Sequence, residues 1–236
     1  MNLPLDVYAV NIFGVSDSKA GDRYHHGDLR NALIEAAVSL VREDGPDAIV
    51  LREAARRVGV TANAAYRHFD GLPDLVDAVR QAGFEALSAS MLSELAELIP
   101  TDDAATDAIY RVRAIGRGYI HFALAEPGLF ALAFNQHKEA SGKYVPADSP
   151  DTSWNLLNTA LDGLVEVGVL APADRDAAVT TEWAIVHGLS VLLLGPMAGI
   201  SVAARDQIID TTLGLVMRGL AIRPDSPRKR NPESAA

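Results

Sequence analysis

The chain has 236 residues and a formal net charge of −10, from 31 acidic against 21 basic residues. That length allows one or two domains, and the acidic total excludes a protein that coats nucleic acid through bulk charge. There is no cysteine, which excludes disulfides and thiolate metal sites and fits a reducing compartment.

Taken in chain order, the first fifteen residues, MNLPLDVYAVNIFGV, carry no basic segment of the kind that opens a signal peptide. Residues 1–20 have no period and are expected to form a flexible arm. Helical pattern begins at Asp28, a candidate N-cap, with Leu29, Leu33, Ala37, Leu40 and Val41 on one face. Gly45-Pro46 stops this helix. A second short helix is expected over Leu51–Val58, closed by Gly59, and a third over Ala62–Phe69, capped by Thr61. Asp70-Gly71-Leu72-Pro73 is a turn. Pro73 then opens a long helix carrying Leu75, Val79, Phe84, Leu87, Met91, Leu95 and Leu98, ending at Pro100.

Further helices are expected at about 103–125, 127–137, 153–168, 173–195 and 202–221. The stretch 138–152, with Gly142, Pro146 and Pro150, reads as a loop. The tail 224–236 is polar and expected to be disordered. The apolar run Leu189–Leu194, broken only by Ser190, is far short of the roughly 20 residues of a membrane span. No alternating strand pattern is present. The expected fold is therefore all-α, with a three-helix head at 21–73 and a helical body at 74–223.

The head carries a local charge opposite to that of the chain. Arg52, Arg56, Arg57 and Arg67 stand against the single acid Glu53 between Ala48 and Phe69. A helix-turn-helix places its second helix in the major groove, and Gly59 suits the turn between the pair. Ala55 and Ala65 are small enough for the two helices to approach closely. Asn63 can pair bidentately with adenine, and Arg67 with guanine or a phosphate. Tyr66 and His68 can donate to phosphate oxygens, and Thr61 and Arg52 can reach the same surface. Arg23-Tyr24-His25-His26 could lie along the backbone or in the minor groove. A plain surface hairpin with solvated arginines satisfies the same periodicity.

RYHHGDLRNALIEAA, then LREAARRVGVTANAAYRHF, then a turn into a long helix, resembles the TetR family of bacterial transcriptional regulators from about Arg23 to Val79. The resemblance implies that Arg52, Ala62, Asn63 and Arg67 face bases and that Tyr66 and His68 hold phosphates. One position departs from the family: Leu72 stands where a phosphate-binding lysine is common.

In the body, Tyr119, His121 and Phe122 precede Phe130 and Phe134, and Trp183 and His187 follow at i,i+4 spacing. Aromatic walls with a few polar tips are the usual form of a small-molecule site, so these seven residues are the candidate effector site. Aromatics at helical spacing also make ordinary core. Trp183-x-x-x-His187-Gly188 is similar to the C-terminal domain of a TetR subgroup named for those residues, in which this helix lies near a dimer interface. Trp183, Leu189, Leu192, Leu193, Leu213, Val216, Met217 and Leu220 on the last two helices offer apolar surface for a symmetric dimer. They could equally cover only their own core.

His25, His26 and Asp28 have no matching cluster, so no metal is expected. No phosphate loop, nucleophile elbow or catalytic set is visible, so neither an enzyme nor a cofactor is expected. The expected protein is a cytoplasmic homodimeric repressor without a membrane partner, released from a palindromic DNA operator by a small apolar effector. The alternative is an all-α small-molecule binder or enzyme that does not touch DNA.

Overall fold

The computed structural model describes residues 28–134 and 152–221. The arm at 1–20, the Arg23-Tyr24-His25-His26 segment, the side chain of the expected cap Asp28, most of the 138–152 loop and the tail at 224–236 lie outside what is described. Among the described residues all regular structure is helical. The elements are α1 Asp28–Asp44, a 3-10 turn Pro46–Ala48, α2 Leu51–Val58, α3 Ala62–Ala65, α4 Leu72–Ala96, α5 Ala104–Ala125 and α6 Pro127–Phe134, then α7 Thr152–Glu166, a 3-10 turn Pro172–Asp174, α8 Arg175–Leu194 and α9 Val202–Ala221.

Local chemistry accounts for several boundaries. Asp103 caps α5, its carboxylate accepting from the Ala105 and Thr106 amides at 3.3 and 3.1 Å. The Thr106 hydroxyl and those amides hold its carboxyl below the usual range. Pro127 starts α6, where its missing N–H costs nothing. Two expected boundaries were too long. α4 stops at Ala96 rather than Pro100, and α3 stops at Ala65 rather than Phe69. In α3 the ladder tightens, with the Arg67 and His68 amides bonding three residues back to Ala64 and Ala65. This compact turn ends in Phe69, which is buried.

The core is one contiguous cluster rather than two. Leu33, Phe69 and Leu75 at the head end join Leu87, Ile120 and Leu129, which join Leu161 and Leu213 in the body. α4 runs through both regions, and its 25 residues span about 37 Å. α5 packs on α4 so closely that the two backbones touch. A Cβ added at Gly118 would lie 2.5 Å from Met91 Cα, and the Ser90 hydroxyl donates to the Gly118 carbonyl at 2.8 Å. A second backbone contact joins head and body: a Cβ at Gly128 in α6 would lie 2.5 Å from the Val41 carbonyl oxygen of α1. Beside it, Arg42 forks onto the Glu126 carboxylate through Nε and Nη2 at 2.9 and 2.7 Å.

The stretch Pro172–Leu194 is long and apolar enough to cross a bilayer, with mean hydropathy 1.5, which uninterrupted apolar runs did not reveal. It packs instead on α5, α7 and α9, with Glu182 among its buried residues. The dimer expectation also needs redrawing. Leu189, Leu193, Leu213 and Met217 are buried in the protomer's own core, whereas Val191, Leu192, Val202 and Leu215 are exposed.

Glu182 is 2% exposed, its Oε1 has no hydrogen-bond partner, and burial pushes its pKa up to about 7.

Two outcomes test this packing. Gly118→Ala should destabilise the protein by about 1–3 kcal/mol, because the neighbouring atoms are backbone and cannot rotate away. Gly163→Ala in α7, whose Cβ meets nothing within 4 Å, should be neutral or slightly stabilising. Thermal unfolding of both variants checks the contrast. The second outcome concerns pH. Below the model-compound value of 4.5, Glu182 is protonated folded and unfolded; between 4.5 and about 7 only the unfolded chain ionises, so stability falls as pH rises. The loss is roughly 3 kcal/mol and complete above the folded value. Urea unfolding across that range should show a flatter pH slope for Glu182→Gln than for the natural chain.

Candidate functional site

The head presents its candidate residues through two short helices fixed by local bonds. Gly59 closes α2 at φ 79°, in the left-handed region that favours glycine, and its N–H reaches the Arg56 carbonyl at 3.1 Å. Val60 bonds back to Ala55 at 2.9 Å. The Thr61 hydroxyl oxygen then accepts from the Ala64 amide at 3.3 Å, which starts α3. Ala55 and Ala65 are both fully buried, so small side chains stand where α2 and α3 pack. Phe69 anchors the far end, with the Arg30 guanidinium 4.7 Å above its ring.

On this frame Arg52, Thr61, Asn63, Tyr66 and Arg67 are exposed, and Ala62 and His68 are half-buried. Tyr66, at 51% exposure, stands unusually far out for an aromatic residue. The charge count changes, however. Arg56 pairs with Glu53 at 2.7 Å, and Arg57 pairs with Glu43 at 2.7 Å and with Glu53 at 3.4 Å. The Arg56 guanidinium, helped by Arg57, holds the Glu53 carboxyl down at about 2. The basic island is thus smaller than its arginine count, and Arg52 and Arg67 are the two of the four without an ion pair among the described residues. Leu72, at the first position of α4, is 45% exposed and offers no charge there.

In the body a cavity of about 60 Å³ lies between α4, α5, α7 and α8, with Phe134 of α6 in its wall. Of the seven residues expected there, Tyr119, Phe134 and Trp183 line it. Phe130 and His187 stand behind them in the same ring cluster, 5.2 Å apart, with Phe134 5.3 Å from His187. The Tyr119 hydroxyl bonds His187 Nδ1 at 2.9 Å. Burial, the larger effect, pushes the Tyr119 hydroxyl's pKa up, and a hydrogen bond with Trp183 acts the other way. Burial also lowers the pKa of His187, favouring its neutral form. A neutral imidazole accepting from Tyr119 carries its proton on Nε2.

His121 and Phe122 do not line the cavity. Two residues along a helix from Tyr119 is roughly 200° of rotation, so His121 turns to α4 and bonds Glu94 at 2.7 Å. Phe122 is ordinary core. Sequence reasoning missed Trp154 and Leu157 of α7, Phe84 and Met91 of α4, and Glu182. The signal for Glu182 was legible: an acid beside Trp183 on a helix that is otherwise largely apolar.

Comparison with known proteins bears on both halves. Residues 33–79 match the family described as bacterial regulatory proteins, tetR family. Residues 112–216, which include Trp183, His187 and Gly188, match the tetracyclin repressor-like C-terminal domain. None of the curated proteins compared with the chain matches. Among solved structures, a protein of unknown function from Rhodococcus sp. RHA1 is 29% identical with a TM-score of 0.71, over 86% of this chain and all of that one. A TetR variant from Acinetobacter baumannii AYE, solved in complex with minocycline, is 19% identical with a TM-score of 0.57, over 84% and 96% of the two chains. A tetR family regulatory protein from Rhodococcus RHA1 is 16% identical with a TM-score of 0.58, over 83% and 98%. The helix pair at Leu51–Ala65, the all-helical body and the two matches, one to each half, agree: the chain belongs to the tetR family of DNA-binding transcriptional regulators.

Proposed function

We propose that this regulator is a homodimeric, cytoplasmic repressor whose head binds a palindromic operator and whose body cavity takes a small apolar effector. The observation that carries the reading is the shared wall. α4 contributes Phe84, Leu87 and Met91 to the cavity and Leu75 and Val79 to the core nearer the head. α6 contributes Phe134 to the cavity and, at its other end, Gly128 against α1. An occupant that moves Phe134 or the middle of α4 therefore acts on helices that touch the head. To empty an operator, it must bind one arrangement better than the other by several kcal/mol.

Val191 and Leu192 on α8 and Leu215 on α9 support the dimer, being large apolar side chains left exposed. Gly188, whose missing Cβ faces open space, leaves room for a partner helix. In a two-fold dimer these faces would meet their own copies. The same fold holds minocycline in the Acinetobacter relative, which fits a small-molecule cavity.

Gel-shift titration against selected operator DNA tests the head. Tyr66→Phe should weaken binding to every sequence, and Asn63→Ala or Arg52→Ala should relax preference at particular base pairs by about 1–3 kcal/mol each. Arg67→Ala should cost more than Arg56→Ala, because Arg56 is already spent on Glu53. Equal losses for those two arginines would remove the head from the position assigned here.

A further inference from the structure

We propose that the body cavity selects a cationic ligand, an amine on an aromatic or aliphatic body, and that Glu182 is its counter-ion. This rests on the reading of the cavity as an effector site and deepens it.

Three observations converge. Glu182 is 2% exposed and lines the cavity, and its Oε1 accepts no hydrogen bond. A buried acceptor left unpaired is costly in a folded protein, and an N–H donor at the cavity would remove that cost. Apart from the buried Ser153, the remaining wall is aromatic and aliphatic. Trp154 and Trp183 meet edge to face with centroids 6.4 Å apart, and Phe84 and Phe134 do so at 5.7 Å. Ring faces around one carboxylate are the chemistry that holds substituted ammonium groups. Third, among the described residues neither an arginine nor a lysine lines the cavity, so none of them supplies Glu182 with a cation. The Tyr119 hydroxyl bonds His187 at 2.9 Å rather than the acid.

The size of the void sets how binding acts. About 60 Å³ accommodates a small head group but falls well below the roughly 300 Å³ at the low end for drug-sized sites. A ligand with an apolar body must displace side chains. Phe134 and Trp154, both half-buried, are wall residues that can yield. Displacing Phe134 moves the end of α6, so occupancy favours an arrangement other than the closed one.

The test uses full-length protein and two probes of one shape: N,N-dimethylbenzylamine, protonated at mildly alkaline pH, and its uncharged isostere isobutylbenzene. Tryptophan fluorescence and thermal shift report binding without DNA. The amine should bind at least about tenfold more tightly than the hydrocarbon. Glu182→Gln should abolish that preference while leaving hydrocarbon binding in place, and Glu182→Met should reverse it. Circular dichroism establishes that both variants are folded. Equal binding of the two probes, no saturable amine binding, or a preference that survives Glu182→Gln would overturn the assignment. Operator release is read separately by gel shift. Amine binding that depends on Glu182 but leaves DNA occupancy unchanged would uphold the ligand class and overturn the regulatory reading.

Discussion

The contact between α6 and α1 holds the arrangement together. Gly128 brings the α6 backbone against the Val41 carbonyl with no side chain between, and Arg42 grips Glu126 beside it. Two helices that touch through backbone cannot slide without clashing, because packed interiors are close to crystal density. The ion pair itself is half-exposed and adds modestly to stability. Its geometry matters more than its energy, since a forked guanidinium fixes orientation as well as distance. Head and body are therefore joined at a stiff point, and α4 supplies a second rigid link.

This makes the division into head and body functional rather than mechanical. Leu75 and Val79 belong to the helix that also carries Met91, and all three lie in one core. The cavity and the head are thus joined by solid contacts over a few turns of helix. The four small residues at critical approaches (Ala55, Ala65, Gly118 and Gly128) are what permit such close packing.

Much of this was legible in the sequence because helical periodicity and punctuation are local. Gly59 and Thr61 announce the turn and cap of the head, and both act as their chemistry requires. What was hidden depends on partners far apart in the chain. Arg57 reads as a free cation until Glu43, fourteen residues earlier, is seen to hold it. Leu189 and Leu213 read as interface until α8 and α9 are packed on α5. His121 read as a neighbour of Tyr119, but helix rotation sends it to Glu94. The shortening of α3 was also beyond propensity, since alanines favour continuation. Its end follows from the tight turn that brings Phe69 into the core.

On the proposed reading, the unpaired carboxylate of Glu182 sets thermal robustness against specificity. A core optimised for stability alone would carry a leucine or methionine there, in keeping with the rest of the wall. Laboratory selection for heat resistance would reach this position early, because removing a buried unpaired acid is one of the few single changes that stabilise a packed core. The survivors would be hardier proteins with an indifferent cavity. Stabilised variants intended for crystallisation or sensing should keep position 182 fixed and draw their gains from helix positions with room for a side chain, such as Gly163, instead.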